Sequence, residues 1–437
     1  MRPQSPNNRS KTALVLAGGG LTGAVYEIGA LRAINDLLTD RTVNDFDIYV
    51  GTSAGAIVGS LLANGIPPET MLQALSGDHP DIRAIERSDL FYFDLADIVR
   101  MGLKLPKTVI GAWTNYLRYL KDMTLFDFIW SLSEALPAGL YDSRALERYI
   151  RHAITTYGGT NRFDRLKRDL YIIATDVDTG QRAVFGRDSN HDVPVSLAVA
   201  ASTAVPVLYK PVRIADRDYI DGSVRGNASL DLAIEHGATL IICINPLVPF
   251  DNGDRASIPF FSPDGGLLSD KGLTAITSQI TRIQTHAGLL YHIKQLRKTH
   301  PEVDIVLVEP SAKDYQMSFD NIMRYRTRLT VAQHGFETVT VKLAENYRYY
   351  ADLLSRHGIV LNQRIVDEEL TEIKRADFDS KVIRRILEAR PAPSKTIVPE
   401  DASRTAPLKQ LNQTLAKLND TLAKLAEDKS PNGNGHV

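Results

Sequence analysis

The stretch "DIYVGTSAGA", Asp47–Ala56, runs an apolar strand straight into Gly51-Thr52-Ser53-Ala54-Gly55. The pattern G-x-S-x-G is what a nucleophile elbow needs: a serine at a sharp strand-to-helix turn, with small neighbours that let strand and helix pass closely. The serine hydroxyl then projects from the turn, and the helix N-terminus behind it offers unpaired N–H groups to a developing oxyanion. Five residues of this kind also arise by chance in Gly-rich loops, so their surroundings decide.

Upstream, "TALVLA" (12–17) reads as a buried strand, "GGGLTG" as a loop and "AVYEIGALRAINDLL" as an amphipathic helix. "FDIYV" (46–50) is a second strand, and "AGAIVGSLLANG" (54–65) is a helix closed by Gly65. "DLYIIATDV" (169–177) and "TLIICINPL" (239–247) are short apolar runs bounded by polar or turn residues, as fully buried strands are. Strands alternating with helices predict an α/β fold around a mainly parallel sheet.

Bulk composition narrows the function classes. The chain has 437 residues, 43% of them hydrophobic, enough for one large core or two domains. Lys+Arg total 51 and Asp+Glu 52, so a net charge of −1 gives no electrostatic case for a nucleic-acid partner. A single cysteine, Cys243, rules out an internal disulfide framework and a C-x-x-C zinc pattern, and fits a reducing, cytoplasmic setting. There is no H-E-x-x-H metal motif either, and no metal or other cofactor is expected. Arg2, Arg9 and Lys11 before the apolar "TALVLAGGGLTGAVYEIGAL" imitate a signal peptide, but three glycines and Glu27 interrupt the run, which favours strand plus loop. No uninterrupted apolar run reaches the ~18 residues of a spanning helix. Peripheral contact with a lipid surface stays open.

Composition shifts mark further segments. Residues 1–11 are polar and read as disordered. Residues 89–140 set Trp113, Trp130 and several tyrosines and leucines among Lys and Arg in a helical pattern. That segment reads as a helical cap packed on the sheet, with a lipid-facing lid as the alternative. Residues 251–390 are mostly helical with one strand candidate, "VDIVLVEP", and 391–407, with four prolines, form a linker. A repeat follows, "LNQTLAK" then "LNDTLAK", and Leu408, Leu411, Leu415, Leu418, Leu422 and Leu425 make an a/d seam. This heptad helix (408–426) is short, so it either docks on its own domain or self-associates, and 427–437 is a disordered tail.

A nucleophile needs an oxyanion site and a base. Gly18, Gly19 and Gly20 expose backbone N–H groups ahead of a helix whose dipole favours negative charge. Gly18, Gly20 and Gly23 also match the dinucleotide fingerprint G-x-G-x-x-G. That reading needs an acidic residue at the end of the next strand, where this chain has the serine elbow, so a dinucleotide-dependent oxidoreductase is only a remote alternative. An α/β-hydrolase would place several strands before the elbow; here only one precedes it. His236, His286, His292, His300, His334 and His357 lie downstream, mostly on helical stretches, and read as surface or packing residues. The better base is Asp221 in "DYIDGSVRGNASL", where Asp221-Gly222 turns out of a strand end.

Glycine loop, elbow and D-G turn, in this order, resemble the patatin-like phospholipases. "GLYDSRALERYI" (139–150), "LYIIATDVDTGQRAVF" (170–185), "AVAASTAVPVLYKPV" (198–212) and "YIDGSVRGNASLDLAIEHGATLIICI" (219–244) are similar to family segments in the same order, so the resemblance covers roughly residues 12–250. It implies a three-layer α/β/α sandwich with a mainly parallel central sheet, here followed by a mostly helical C-terminal extension. It also implies a serine acyl hydrolase that cleaves phospholipid or other lipid esters and needs no calcium. In that family's terms Ser53 is the nucleophile and Asp221 the dyad acid. Gly18, Gly19 and Gly20 with Ala54 form the oxyanion hole, and Gly23, Gly51, Gly55, Gly222 and Ser223 complete the motifs. Two residues depart from the pattern: Thr22 stands where the family usually has Arg or Lys, and Ser223 where it has Gly or Ala. Intact Ser53 and Asp221 weigh against the other alternative, a catalytically silent lipid-binding or scaffold protein.

Overall fold

Strand β1 (Thr12–Leu16) has no exposed side chain, and its residues sort by parity. Leu14 and Leu16 join one apolar core while Ala13 and Val15 join a second. Side chains of a strand alternate between faces, so two cores mean that helices cover both sides of the sheet. The structure, a computed structural model, describes residues 10–92, 138–255, 265–314, 317, 325–362 and 364–389.

Among these the remaining strands are β2 (Ile48–Thr52), β3 (Gly139–Tyr141), β4 (Asp169–Asp176), β5 (Arg182–Phe185), β6 (Val207–Tyr209), β7 (Val212–Ile214), β8 (Arg217–Asp221), β9 (Leu240–Ile244) and β10 (Asp304–Val308). The helices are α1 (Gly20–Leu37), α2 (Ala54–Ala63), α3 (Pro68–Ser76), α4 (Arg87–Leu90), α5 (Arg144–Thr156), α6 (Val195–Ser202), α7 (Leu230–Glu235), α8 (Gly272–Thr299), α9 (Tyr325–Glu345), α10 (Tyr347–Ser355), α11 (Arg364–Arg375) and α12 (Ser380–Glu388).

The main sheet runs β10-β9-β1-β2-β4-β8-β7, with β5 also paired to β4. The first five strands are mutually parallel, and β5, β7 and β8 form an antiparallel end. The expected three layers and mainly parallel sheet are thus present, with α7 and α8 on one face and α1, α2, α3, α5, α6 and α9 on the other.

One detail of register positions everything that matters for the site. Strand β2 pairs with Asp169–Ile173 of β4, and β8 pairs with Ala174–Asp176. Strand β5 occupies residues 172–175 on the other edge, overlapping both. Each edge of a strand takes one partner, so β2 and β8 share an edge of β4 and run toward each other along it. Thr52 lies opposite Ile173 and Asp221 opposite Ala174.

Helix α1 starts inside the glycine loop and is buried almost all round, where its sequence predicts an amphipathic helix with a polar face. Helix α9 covers its outer side. A Cβ on Gly29 would sit 1.9 Å from the Ala332 carbonyl oxygen, and one on Gly335 would sit 2.2 Å from that of Tyr26. The two helices therefore pack backbone to backbone. The described part of residues 251–389 is mostly helical, with β10 extending the sheet and α9 packed on α1, within one unit that reaches Arg390. The linker 391–407, heptad helix 408–426, tail 427–437, residues 1–9 and most of the cap segment 89–140 lie outside the described residues. No described helix is long and apolar enough to cross a membrane.

Candidate active site

Ser53 follows β2 directly and precedes α2, with φ 53° and ψ −114°. A non-glycine residue in that region is strained by about 1–3 kcal/mol and persists only where its surroundings over-determine it. Here they do. A Cβ on Gly51 would lie 2.4 Å from the Gly55 carbonyl oxygen, and one on Gly55 would lie 2.1 Å from that of Leu16. Helix α2 can fold back against β1 and β2 only because both positions are glycine. The Ser53 N–H donates to Ser202 Oγ at 2.8 Å, and that hydroxyl donates to the Ile173 carbonyl at 2.6 Å. Ser202, at the end of α6, thus ties the elbow to β4 where the ladder of β2 stops.

Ser53 Oγ donates to Asp221 Oδ2 at 2.6 Å, and both residues are buried. The second carboxyl oxygen accepts the Ser223 N–H at 2.8 Å, and the Asp221 N–H donates to the Ala204 carbonyl at 2.9 Å. Burial pushes the Asp221 carboxyl above the ordinary carboxylate range, while hydrogen bonds from Ser53 and from the amide and hydroxyl of Ser223 pull it back. No histidine bonds either residue among the described residues. His286, His300, His334 and His357 pair with Glu309, Glu302, Asp314 and Asp304 instead.

The glycine loop lies against the same corner. A Cβ on Gly18 would come 3.4 Å from Ser53 Cβ. The Gly18 N–H donates to the Asn227 carbonyl at 3.2 Å. Gly19 caps α1 and Gly20 takes φ +60°, so the free amides of the first turn of α1 begin here. The N–H groups of Gly19, Gly20 and Ala54 bond no protein acceptor among the described residues. Gly19 and Gly23 both press on Pro246, where a Cβ would lie 2.4 Å and 2.8 Å from its ring.

Asp221 opens on a cavity of about 610 Å3 bounded by Ser223, Arg225, Thr281, Gln284 and His292. Arg225 is exposed there and has no ion-pair partner among the described residues. Arg182, on the adjoining hollow, is held by Asp231 at 2.6 Å, and His292 stands 3.9 Å from the same carboxylate. Ser202, Arg225 and His292 were not singled out as site residues from sequence. Ser202 lies in the quoted segment "AVAASTAVPVLYKPV", but no local pattern marks a serine whose partners are 29 and 149 positions away. No group of three or more His, Cys, Asp or Glu that could hold a metal ion occurs among the described residues.

Comparison with known proteins bears on this corner. The probable lipid hydrolase 463L of Invertebrate iridescent virus 6 is 22% identical over 223 residues, which are 51% of this chain and 63% of that protein. The chain therefore spans less than two thirds of that relative's length. Among solved structures, VipD from Legionella pneumophila superposes with a TM-score of 0.37 at 13% identity, over 77% of this chain and 67% of VipD. The type III effector protein ExoU gives 0.29 at 14% identity, over 77% and 53% of the two chains. The family model for patatin-like phospholipases matches residues 14–234, just over half of the sequence and inclusive of loop, elbow and Asp221, and on that match the chain belongs to the patatin-like phospholipase family.

Proposed function

We propose that the protein is a serine acyl hydrolase of lipid esters acting through Ser53 and Asp221. The observation that carries this is the 2.6 Å bond from Ser53 Oγ to Asp221 Oδ2 at a strained elbow. Burial raises the proton affinity of Asp221 above that of an ordinary carboxylate, which suits a general base. Asp221 takes the hydroxyl proton as Ser53 Oγ attacks the ester carbonyl carbon. The carbonyl oxygen gains charge where the amides of Gly19, Gly20 and Ala54 are free to receive it. Collapse of the tetrahedral intermediate expels the alcohol, which takes the proton back from Asp221, and leaves an acyl-Ser53 ester. Water, deprotonated by the same carboxylate, then releases the fatty acid. A lipid ester as substrate is supported by membership in the family and by the relative named as a probable lipid hydrolase. The cavity of about 610 Å3 lies within the ~300–1,000 Å3 common for small-molecule sites.

Incubating the purified protein with a mixed lipid extract and reading released fatty acids by mass spectrometry tests the reaction. Ser53→Ala and Asp221→Asn should each lower release by about 10³-fold or more while circular dichroism stays native. The double variant should be no worse than either single one, because residues that act as a unit do not contribute additively. No release by the wild-type chain would favour a lipid-binding or scaffold role. An equal loss in folded His292→Ala would replace the dyad by a different base.

A further inference from the structure

Helix α8 carries three distinct faces. Ala275, Leu289, Ile293 and Leu296 are buried, the last three against the second core. Thr281, Gln284, Thr285 and His292 line the cavity that also holds Asp221. The third face turns away from the core and consists of Leu273, Ile276, Ile280, Ile283, Ala287 and Leu290. Their spacing of three, four, three, four and three residues draws one continuous stripe at 3.6 residues per turn. Leu273 is 82% exposed, and Ile280, Ile283 and Leu290 are 48%, 50% and 43% exposed. Single apolar side chains at a surface are ordinary, but a contiguous stripe of this length marks a contact surface.

Charge indicates what the stripe meets. Extended past Leu290 in two steps of four, on the same side of the helix, it arrives at the exposed Lys294 and Lys298. The helix contains no Asp or Glu over its 28 residues. An isologous pairing of two copies would set two faces together that each carry lysines and no Asp or Glu of the helix, so it gains no ion pair within α8. An anionic lipid surface supplies both apolar depth and negative charge, the two features an interfacial helix requires.

We propose that this face of α8 docks the protein onto an anionic lipid surface, beside the cavity that opens on Asp221. Gln284, one turn from Ile280, joins the stripe to the cavity wall, so the helix that borders the site would also be the helix that touches the lipid. The proposal takes its partner from the lipid-ester reading and is otherwise independent of catalysis.

The test is flotation of the full chain with vesicles of phosphatidylcholine alone or mixed equally with phosphatidylglycerol. The wild-type protein should partition at least about tenfold more strongly into the mixed vesicles, as ~1 kcal/mol per basic residue near an anionic surface implies. Ile280→Asp/Ile283→Asp should lower that partition at least tenfold without moving the thermal midpoint in the absence of lipid. Lys294→Glu/Lys298→Glu should erase the preference for phosphatidylglycerol. Wild-type partition in both double variants overturns the proposal, as does a wild-type chain that stays with the soluble fraction. A dimer by light scattering that Ile280→Asp/Ile283→Asp converts to monomers, with flotation unchanged, assigns the face to a second copy instead. Because the readout is partition, a chain that floats yet releases no fatty acid would refute the hydrolase reading and leave the docking face standing.

Discussion

In the proposed reaction the base that serves Ser53 is a carboxylate that burial has made reluctant to ionise, and it must be ionised to act. Activity should therefore be lost as pH falls through the raised pKa of Asp221, at a pH above that at which an exposed aspartate protonates. Ser223 sharpens the expectation. Its hydroxyl is one of the groups that hold Asp221 down, and the backbone amide beside it survives any substitution. Replacing Ser223 with the small residues usual in the family should shift the acid limb of kcat/KM to higher pH in Ser223→Ala and Ser223→Gly alike. A limb that stays put, or moves down, would show that the hydroxyl does not bear on the base. Ser53 and Asp221 were legible because each stands in a short local motif, and the structure brings the two together. Gly18 shows the limit of such motifs: the letters of the loop cannot reveal that one of its three amides is already bonded to Asn227. Ser202 was illegible for the same reason, since its two partners belong to other elements.

At the scale of an element, α1 is the piece whose sequence misleads. Glu27 reads as a polar interruption of an apolar run, whereas it is wholly buried and its carboxyl is pushed up by that burial. The missing information is α9, some 300 positions downstream, whose Ala332 and Gly335 meet Gly29 and Tyr26 at backbone distance. The far end of α1 is fastened differently. Buried Arg32 pairs with Asp36 of the same helix and donates to the carbonyls of Ile386, Leu387 and Ala389 at 3.2–3.3 Å, with Glu69 and Glu369 3.9 Å and 3.7 Å away. Arg32→Met would leave Asp36 and Glu69 buried without their cation, an arrangement that costs about 3–5 kcal/mol. Urea unfolding should show that loss, and Arg32→Met/Asp36→Leu should recover part of it. A single variant within about 0.5 kcal/mol of the parent would mean that the carboxylates find other partners.

Across the whole molecule, the parallel half of the sheet could be read from its apolar runs, and the "VDIVLVEP" segment proved to be its outermost strand, β10. Of the antiparallel end only the close of β8, ahead of the Asp221-Gly222 turn, could be read, because β5 and β7 are short, partly exposed strands without a strong alternating pattern. That end matters most, since β8 brings Asp221 to the place where β2 delivers Ser53. Both strands are registered on consecutive residues of β4, so the distance from Asp221 to Ser53 is set by one strand buried on both faces, not by any surface loop. The amides of Ile173 and Ala174 should accordingly exchange with deuterium only when the whole sheet opens. Heating offers a simple check. Turnover of a small soluble ester and the circular dichroism signal should vanish along one curve, whereas a dyad held by loops would go silent while the fold still stood. In the proposed reaction such a build leaves no half-active state: the chemistry would be as durable as the most protected hydrogen bonds of the sheet.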